Sequence, residues 1–322
     1  MYKELELWRF VSERLLRGES VMLLVVAESA GSSPGRQGYK MAVGADGGLW
    51  GSIGGGLMEV SLVEQSRLLL KETQDSASFL KPQFHQKHSP NSSGMICSGR
   101  QTVIFRTLEP GDIETVRAVI DSLENLRGAF LHITPNLFRV GPAKAGTPNW
   151  HFERLGESDF LYRERLGYKN DLYIVGGGHC ALALSELMAK MDFYIRIYDD
   201  RPELNTLDKN RFAHAINIIE NYGHVSDVIP SGPNVYVVVM TLGYASDETV
   251  IRQLIDKDFK YFGVLGSKAK MAELMRNLRN DGLPEEKLGR IHTPIGIPIN
   301  SRTPEEIAIS IAAEIISVKN SG

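Results

Sequence analysis

The stretch that most constrains the fold runs from residue 171 to residue 201. It reads Asp-Leu-Tyr-Ile-Val-Gly-Gly-Gly-His-Cys-Ala, a helix-length segment, then Phe-Tyr-Ile-Arg-Ile-Tyr-Asp-Asp-Arg. The unbroken apolar run at 172–175 predicts a strand buried on both faces, which the glycines end abruptly. Leu182, Leu184, Leu187, Met188 and Met191 recur at helical spacing, so the glycines fall between a strand and a helix. A second β-type run at 193–198 ends in Asp199. Strand, glycines, helix, strand and acid in that order predict the βαβ unit of a nucleotide-binding fold. Gly176 suits the tight turn, Gly178 lets a phosphate approach the backbone, and Ala181 takes the third small position. Asp199 lies about twenty residues on, where an acid can hold a ribose diol. The ligand stays open at this point, because a helix start attracts any phosphate: NAD(P), a pterin dinucleotide or another phosphate ester.

A chain of 322 residues is long enough for two domains with a core each. Apolar content of 43% and charged content of 23% are those of an ordinary globular protein. A net charge near −3, with no basic stripe interleaved with aromatics, argues against a nucleic-acid partner. No apolar run approaches bilayer-spanning length, so no membrane partner is expected. Lys3, Glu4, Glu6 and Arg9 interrupt what would be the apolar core of a signal peptide. Two cysteines, Cys97 and Cys180, are too few for a disulfide scaffold. They fit a reducing cytosol, and a cytoplasmic location is expected.

Ahead of the βαβ unit, residues 4–17 read as an amphipathic helix through Leu5, Leu7, Trp8, Val11, Leu15 and Leu16, stopped by Gly18. Residues 21–27 read as a buried strand. A loop dense in glycine and hydroxyls follows, Ser29-Ala-Gly-Ser-Ser-Pro-Gly-Arg-Gln-Gly38, then a hairpin of strands at 39–43 and 49–53 turning at Asp46-Gly47. Gly54, Gly55 and Gly56 open a helix to about residue 71, leaving its first N–H groups uncovered as an anion site. Ser32, Ser33, Lys40 and Ser52 would add donors if hairpin and loop face one another. Glu59, in the first helical turn, either complements the helix dipole or accepts from a ligand N–H.

Residues 73–93 read as a polar, irregular surface loop, in which His85 and His88 lack the further ligands a metal site needs. Cys97 sits at a glycine-flanked turn near Arg100, a setting for either a reactive exposed thiol or a small buried one. A strand at 101–107, a helix at 111–126 and a strand at 129–134 close the first half. Residues 141–170 read as a crossing segment, and the division falls near Gly167, giving domains 1–166 and 167–322. The second half continues as α/β, with strands at 215–219, 235–240 and 261–265 and helices at 247–255 and 268–280. A last helix is announced by Thr303, Pro304 and Glu306 as cap, first residue and capping-box acid. Its buried stripe is Ile307, Ile311, Ala312 and Ile315. The fold class is therefore an α/β N-terminal domain followed by a Rossmann-like, doubly wound parallel sheet.

Taken together, these segments resemble the xanthine dehydrogenase accessory (XdhC/CoxI) family along nearly the whole chain. The marks are Gly31-Ser-Ser-Pro34 with Lys40-Met41, Gly51-Ser-Ile-Gly-Gly-Gly56 with Glu59, and Met95-Ile-Cys-Ser-Gly99. In the second half they are Gly176-Gly-Gly-His179, Asp199-Asp-Arg-Pro202, Leu265-Gly-Ser-Lys268, Pro294-Ile-Gly-Ile297 and Thr303-Pro-Glu-Glu-Ile-Ala308. The resemblance implies a chaperone that binds the molybdenum cofactor, as molybdopterin or its dinucleotide. It implies sulfuration with a cysteine desulfurase and delivery to a xanthine dehydrogenase-type molybdoenzyme, with no catalysis by the chaperone itself. It favours Cys97 as the candidate thiol and molybdenum contact, since thiolates suit soft metal centres. The implied cofactor-binding residues are Ser32, Ser33, Lys40, Gly54, Gly55, Gly56, Glu59 and Cys97, then Gly176, Gly178, His179, Asp199, Arg201 and Ser267. The chain departs from the family at Thr241, followed here by Leu242-Gly243 where members commonly carry a histidine. Cys97-Ser-Gly99 also replaces Cys-Gly-Gly.

Two other readings compete. An NAD(P)-dependent oxidoreductase would need a proton donor beside the nicotinamide, and only Lys268 and His292 qualify by position. A non-catalytic nucleotide sensor would use the Rossmann half to report occupancy alone. Whether two chains pair as a homodimer is open.

Overall fold

The structure is a computed structural model that describes residues 3–72, 78–84, 99–125, 128–142 and 148–321. It divides into two compact units, Met1–Gly167 and Tyr168–Gly322. Among the described residues, no helix is long and apolar enough to cross a membrane.

The first unit runs α1 (Lys3–Leu16), β1 (Val21–Gly31), β2 (Lys40–Gly44), β3 (Leu49–Gly51), α2 (Gly56–Glu72), β4 (Phe79–Phe84), β5 (Gly99–Leu108), α3 (Ile113–Glu124), β6 (Ala129–Thr134), β7 (Leu137–Pro142), β8 (Trp150–Arg154) and β9 (Phe160–Arg165). An antiparallel sheet in the order β3-β2-β1-β5-β4 is covered on both faces. Because alternate strand residues point to opposite faces, the part of β1 that is buried, Val21–Ala27, is apolar at every position. Met22, Leu24 and Val26 pack on Met58 and Leu62 of α2. Leu23 and Val25 share the opposite core with Trp8 and Val11 of α1 and Val116 of α3. A second antiparallel sheet, β7-β6-β9-β8, joins that core through Leu131, Ile133, Phe160 and Tyr162.

Three expectations fail here. Part of the supposed irregular loop at 73–93 is the edge strand β4, which pairs with β5 from Phe79 to Phe84. Its Pro82 hid it, because proline marks a strand down and is tolerated only where no ladder neighbour needs its N–H. The supposed crossing segment at 141–170 contains β8 and β9. In β9 the inward positions are Phe160, Tyr162 and Glu164 while Leu161 faces outward, so a buried acid and an outward leucine blurred the alternation. Leu16, expected on the buried stripe of α1, is 62% exposed.

The second unit runs β10 (Asn170–Val175), α4 (His179–Ala189), β11 (Phe193–Asp199), α5 (Asn205–Lys209), β12 (Ala215–Ile218), α6 (Val225–Val228), β13 (Gly232–Val239), α7 (Tyr244–Leu254), β14 (Phe259–Val264), α8 (Lys268–Asn280), α9 (Glu285–Leu288) and α10 (Pro304–Asn320). Its strands are all parallel, in the order β12-β11-β10-β13-β14. This is the doubly wound Rossmann arrangement, with α4 and α10 on one face and α7 and α8 on the other. Strand order reverses between β10 and β13, so ligands are expected outside the carboxyl ends of those strands. Helix α10 starts as its sequence announces: Thr303 Oγ1 accepts from the Glu306 amide while Glu306 accepts from the Thr303 amide.

Candidate functional site

The glycine loop of the second unit lies at that reversal point. Gly176 has φ of 108°, and a side chain there would stand 2.3 Å from the Met240 carbonyl oxygen, so only glycine fits. Gly177 is held at both ends: its N–H donates to Asp199 Oδ2 at 2.6 Å, and its carbonyl accepts from Thr206 Oγ1 at 2.6 Å. Gly178, the N-cap of α4, has φ of −69°, and a Cβ built on it meets nothing within 4 Å. His179 is exposed on the first helical position. The start of α4 is thus open to a phosphate over Gly178 and His179, which is what the fingerprint asks of its second glycine.

Asp199, expected to hold a ribose, is engaged within the chain itself. Its side chain is fully buried, and both carboxylate oxygens are taken. Oδ1 accepts from the Arg201 amide and Nε, each at 2.9 Å, and Oδ2 from Gly177 and from Arg201 Nη2 at 2.8 Å. Four donors fill a carboxylate's accepting positions. Burial alone would raise its pKa, but the hydrogen bonds from Arg201 and Gly177 outweigh it and hold the carboxyl below its usual range. Asp199 braces the loop from the neighbouring strand, and Arg201 is engaged in the same contact.

Elsewhere on this unit the candidates are dispersed. Ser267 caps α8, accepting from the Lys270 amide at 3.3 Å. Lys270 pairs with the buried Asp247 at 2.7 Å, which also accepts from Thr241 Oγ1 at 2.6 Å. Leu242, at the position of the family's histidine, is 80% exposed. His292 stacks on Tyr261 with ring centroids 4.6 Å apart and lies 3.4 Å from Glu314 of α10, so it serves that packing. Cys180 is half-buried, and burial pushes its thiol pKa up, away from reactive thiolate.

In the first unit three separated segments meet through their backbones. A Cβ on Gly54, whose φ is 128°, would lie 2.5 Å from the Gly35 nitrogen; one on Gly35 would lie 2.2 Å from the Ile53 carbonyl. One on Gly99 would lie 2.4 Å from the Ser33 nitrogen. Gln101, 1% exposed, ties the three together. It accepts from Ser33 Oγ at 2.8 Å and donates to the Ile53 carbonyl at 3.3 Å. Gln101 escaped the sequence reading, although a lone amide leading the apolar strand Thr-Val-Ile-Phe was its signal.

The uncovered amides expected at Gly54, Gly55 and Gly56 are largely covered by the chain itself. Glu59 Oε2 accepts from Ser52 Oγ at 2.7 Å, the Ile53 amide at 2.8 Å and the Gly55 amide at 2.9 Å, and the Gly54 amide donates to Ser52 Oγ at 3.1 Å. Glu59 thus occupies the place an external anion would take. Lys40 does not join this site either. It points with Ala42 toward the opposite face of the sheet, where its ammonium is buried 2.8 Å from Glu4 and 2.7 Å from Glu164. Burial would lower its pKa, but Glu164 and Glu4 overcome that and raise it. Ser33 is buried, while Ser32 is exposed. Cys97, His85 and His88 lie outside the described residues. Among the described residues no cluster of three or more histidine, cysteine or acidic side chains could hold a metal ion.

Residues 172–315 match the family model described as the XdhC Rossmann domain, and residues 15–79 that of the XdhC and CoxI family. The chain belongs to the XdhC and CoxI family. The two matches cover the Rossmann sheet with its helices and, in the first unit, both the glycine-rich loop and the Gly54–Gly56 turn. The chain is 26% identical over 301 residues to the uncharacterized protein YqeB of Escherichia coli, covering 92% of this chain and 43% of that protein. It is also 26% identical over 170 residues to a probable xanthine dehydrogenase subunit of Bacillus subtilis, covering 52% of this chain and 49% of that one. These matches span about half the length of either relative or less. The crystal structure of a xanthine dehydrogenase from Bacillus halodurans shares the fold, with a TM-score of 0.69 at 23% identity, covering 100% of this chain and 96% of that one.

Proposed function

We infer that this XdhC/CoxI protein is an accessory factor that holds the molybdenum cofactor for a xanthine dehydrogenase-type molybdoenzyme, in the cytoplasm, and catalyses no reaction of its own. On this reading the cofactor is presented to a cysteine desulfurase for sulfuration and then delivered. The observation that carries it is the meeting of Ser33–Gly35, Ile53–Gly54 and Gly99 in the first unit. The family's three N-terminal motifs come together there, and Cys97 precedes Gly99 by two residues. The Bacillus subtilis relative, a probable part of a xanthine dehydrogenase, supports the same partner class.

The residues present fit a phosphate-bearing pterin in the second unit. Open space over Gly178 at the start of an eleven-residue helix is what a phosphate oxygen needs to reach the amides. Bound there, the cofactor would bring the molybdenum centre, and the start of α4 would supply the amides that grip its phosphate; Cys97, on the first unit, is proposed separately as a soft thiol suited to handling sulfur. Ser52 and Glu59 keep the first-unit turn in shape, so a ligand there meets Ser32 and the outer rim of the loops.

Two measurements test this. Protein prepared without oxygen and offered molybdopterin in excess should retain both pterin and molybdenum; retention of neither overturns the proposal. With Cys97→Ala the fold should persist while the partner hydroxylase accumulates in a desulfo or molybdenum-poor form. Full partner activity would remove Cys97 from the function.

A further inference from the structure

Among the described residues each of the three sheets has two outer strands, and all of these edges but one are defended. A strand with bare outward N–H and C=O groups invites pairing with another chain, and proteins blunt such edges by brevity, charge, proline or cover. β3 is three residues long and stops at Gly51, whose φ is 88°. β4 carries Lys81 and Pro82, β7 carries Arg139 and Pro142, and β8 carries Glu153 and Arg154. The outer edge of β14 is covered by the chain that follows α9. There the His292 amide donates to the Phe262 carbonyl at 2.8 Å, and the Val264 amide donates to the His292 carbonyl at 3.0 Å. β12, four residues long, has no such defence. It reads Ala215-Ile-Asn-Ile218, without charge, proline or glycine, and no strand lies outside it among the described residues. Ile216 and Ile218 are 39% and 47% exposed.

We propose that β12 is the edge on which two copies of this chain pair, antiparallel about a two-fold axis through Asn217. The occupant follows from the strand's own order. Ile216-Asn217-Ile218 reads the same in both directions, and directly opposite residues of an antiparallel pair lie on one face. An axis through Asn217 therefore sets Ile216 against Ile218 of the partner subunit and Ile218 against Ile216 of the partner subunit, covering the exposed isoleucines of both copies. Asn217 meets its own counterpart, and an amide is self-complementary because it both donates and accepts. Its Nδ2 donates to the Ile197 carbonyl at 3.3 Å, which leaves its Oδ1 for the partner. A slip of one residue would set isoleucine against asparagine, so the pattern pins the register. Charge agrees with the antiparallel order. Exposed Arg211 precedes β12 and exposed Glu220 follows it, so each faces toward its opposite in the other copy, where a parallel order would set like beside like. The contact is isologous, as a closed two-fold pair requires, and joins the two five-stranded sheets into one. With the strands of the two copies running in opposite directions, their α4 starts open on opposite rims of the joined sheet.

Sedimentation equilibrium of the full chain tests this. At about 100 µM the mass should approach twice the 35.8 kDa of one chain and fall on dilution, since a short ladder makes a small interface. Ile216→Lys and Ile218→Lys, both at exposed positions, should keep the circular dichroism of the parent and each weaken association at least tenfold, because an ammonium would then stand on an apolar side chain of the partner. Opposite Cα atoms in such a pair lie about 4.5–5.5 Å apart, within disulfide reach. Asn217→Cys oxidised with diamide should therefore give a covalent dimer whose linked peptide contains position 217 from both copies. A parent that stays monomeric at about 100 µM, a dimer that both lysine variants leave intact, or an oxidised Asn217→Cys protein without that linkage overturns the inference.

Discussion

In the first unit, the carboxylate that meets the glycine amides comes from the helix those glycines open. Glu59 reaches back over one turn and accepts from Ile53, Gly55 and Ser52 at once. In the second unit the carboxylate comes from a neighbouring strand, and Asp199 takes only the Gly177 amide before Arg201 fills the rest of it. A side chain on the helix itself can follow the turn and cover several donors. One on the next strand can reach only the residue beside its own end, which leaves the helix start beyond Gly178 clear. Two similar-looking glycine triplets thus differ in what they leave for a ligand, and the origin of the bracing acid decides it.

The comparison breaks hardest at the first unit's packed backbone. Gly54→Ala forces a side chain into φ of 128° and within 2.5 Å of the Gly35 nitrogen, where neither backbone can give way. A loss of about 3–5 kcal/mol is expected, as for severe backbone and packing clashes, read by chemical denaturation. Lys40→Met should cost a similar ~3–5 kcal/mol, since it strands Glu4 and Glu164 in the core without their cation. A variant as stable as the parent would mean that the two acids are neutral or hydrated.

Titration separates the units next. Lys40 has a raised pKa in the fold, so its contribution is complete below the free-lysine value near 10.4 and fades as pH climbs through the higher native one. Asp199 has a lowered pKa, so its contribution is complete above the free-aspartate value near 3.9 and fades as pH falls through the lower native one. Alkali should weaken the first unit and acid the second. Thermal unfolding followed by pulse proteolysis, with fragments assigned to either unit, checks this; the same unit failing first at both extremes would contradict it.

How far the fold was legible follows from the same physics. The second unit was readable almost throughout, since a parallel sheet buried on both faces writes its strands as continuous apolar runs: Leu-Tyr-Ile-Val at 172–175 needed no context. β8 and β9 were not, because Glu164 faces inward to meet Lys40, a pairing 124 residues apart that no local pattern records. At the site, sequence located both glycine loops but not the fate of their amides. Glu59 carried the right signal, an acid in a first helical turn, yet spacing alone cannot tell a carboxylate that turns back on its own loop from one awaiting a ligand. Asp199 and Asp200 show the same limit, since which of two adjacent acids is buried depends on Arg201 curling back over the first.

The smallest effect on stability is the most informative about the loops. Gly178→Ala places a methyl where nothing lies within 4 Å and at φ of −69°, which any residue adopts, so stability should change by no more than about 0.5 kcal/mol. Gly178→Val should fold equally well while lowering pyrophosphate affinity at least tenfold, because its branched side chain fills the approach to the α4 amides. Set beside Gly54→Ala, the pair separates two reasons for glycine. At Gly54 the residue is there for the protein's own backbone, and at Gly178 the fold makes no such demand, so whatever requires glycine there must come from outside the chain. A Gly178→Val protein that binds pyrophosphate as the parent does would remove that distinction and send the phosphate to another part of the molecule.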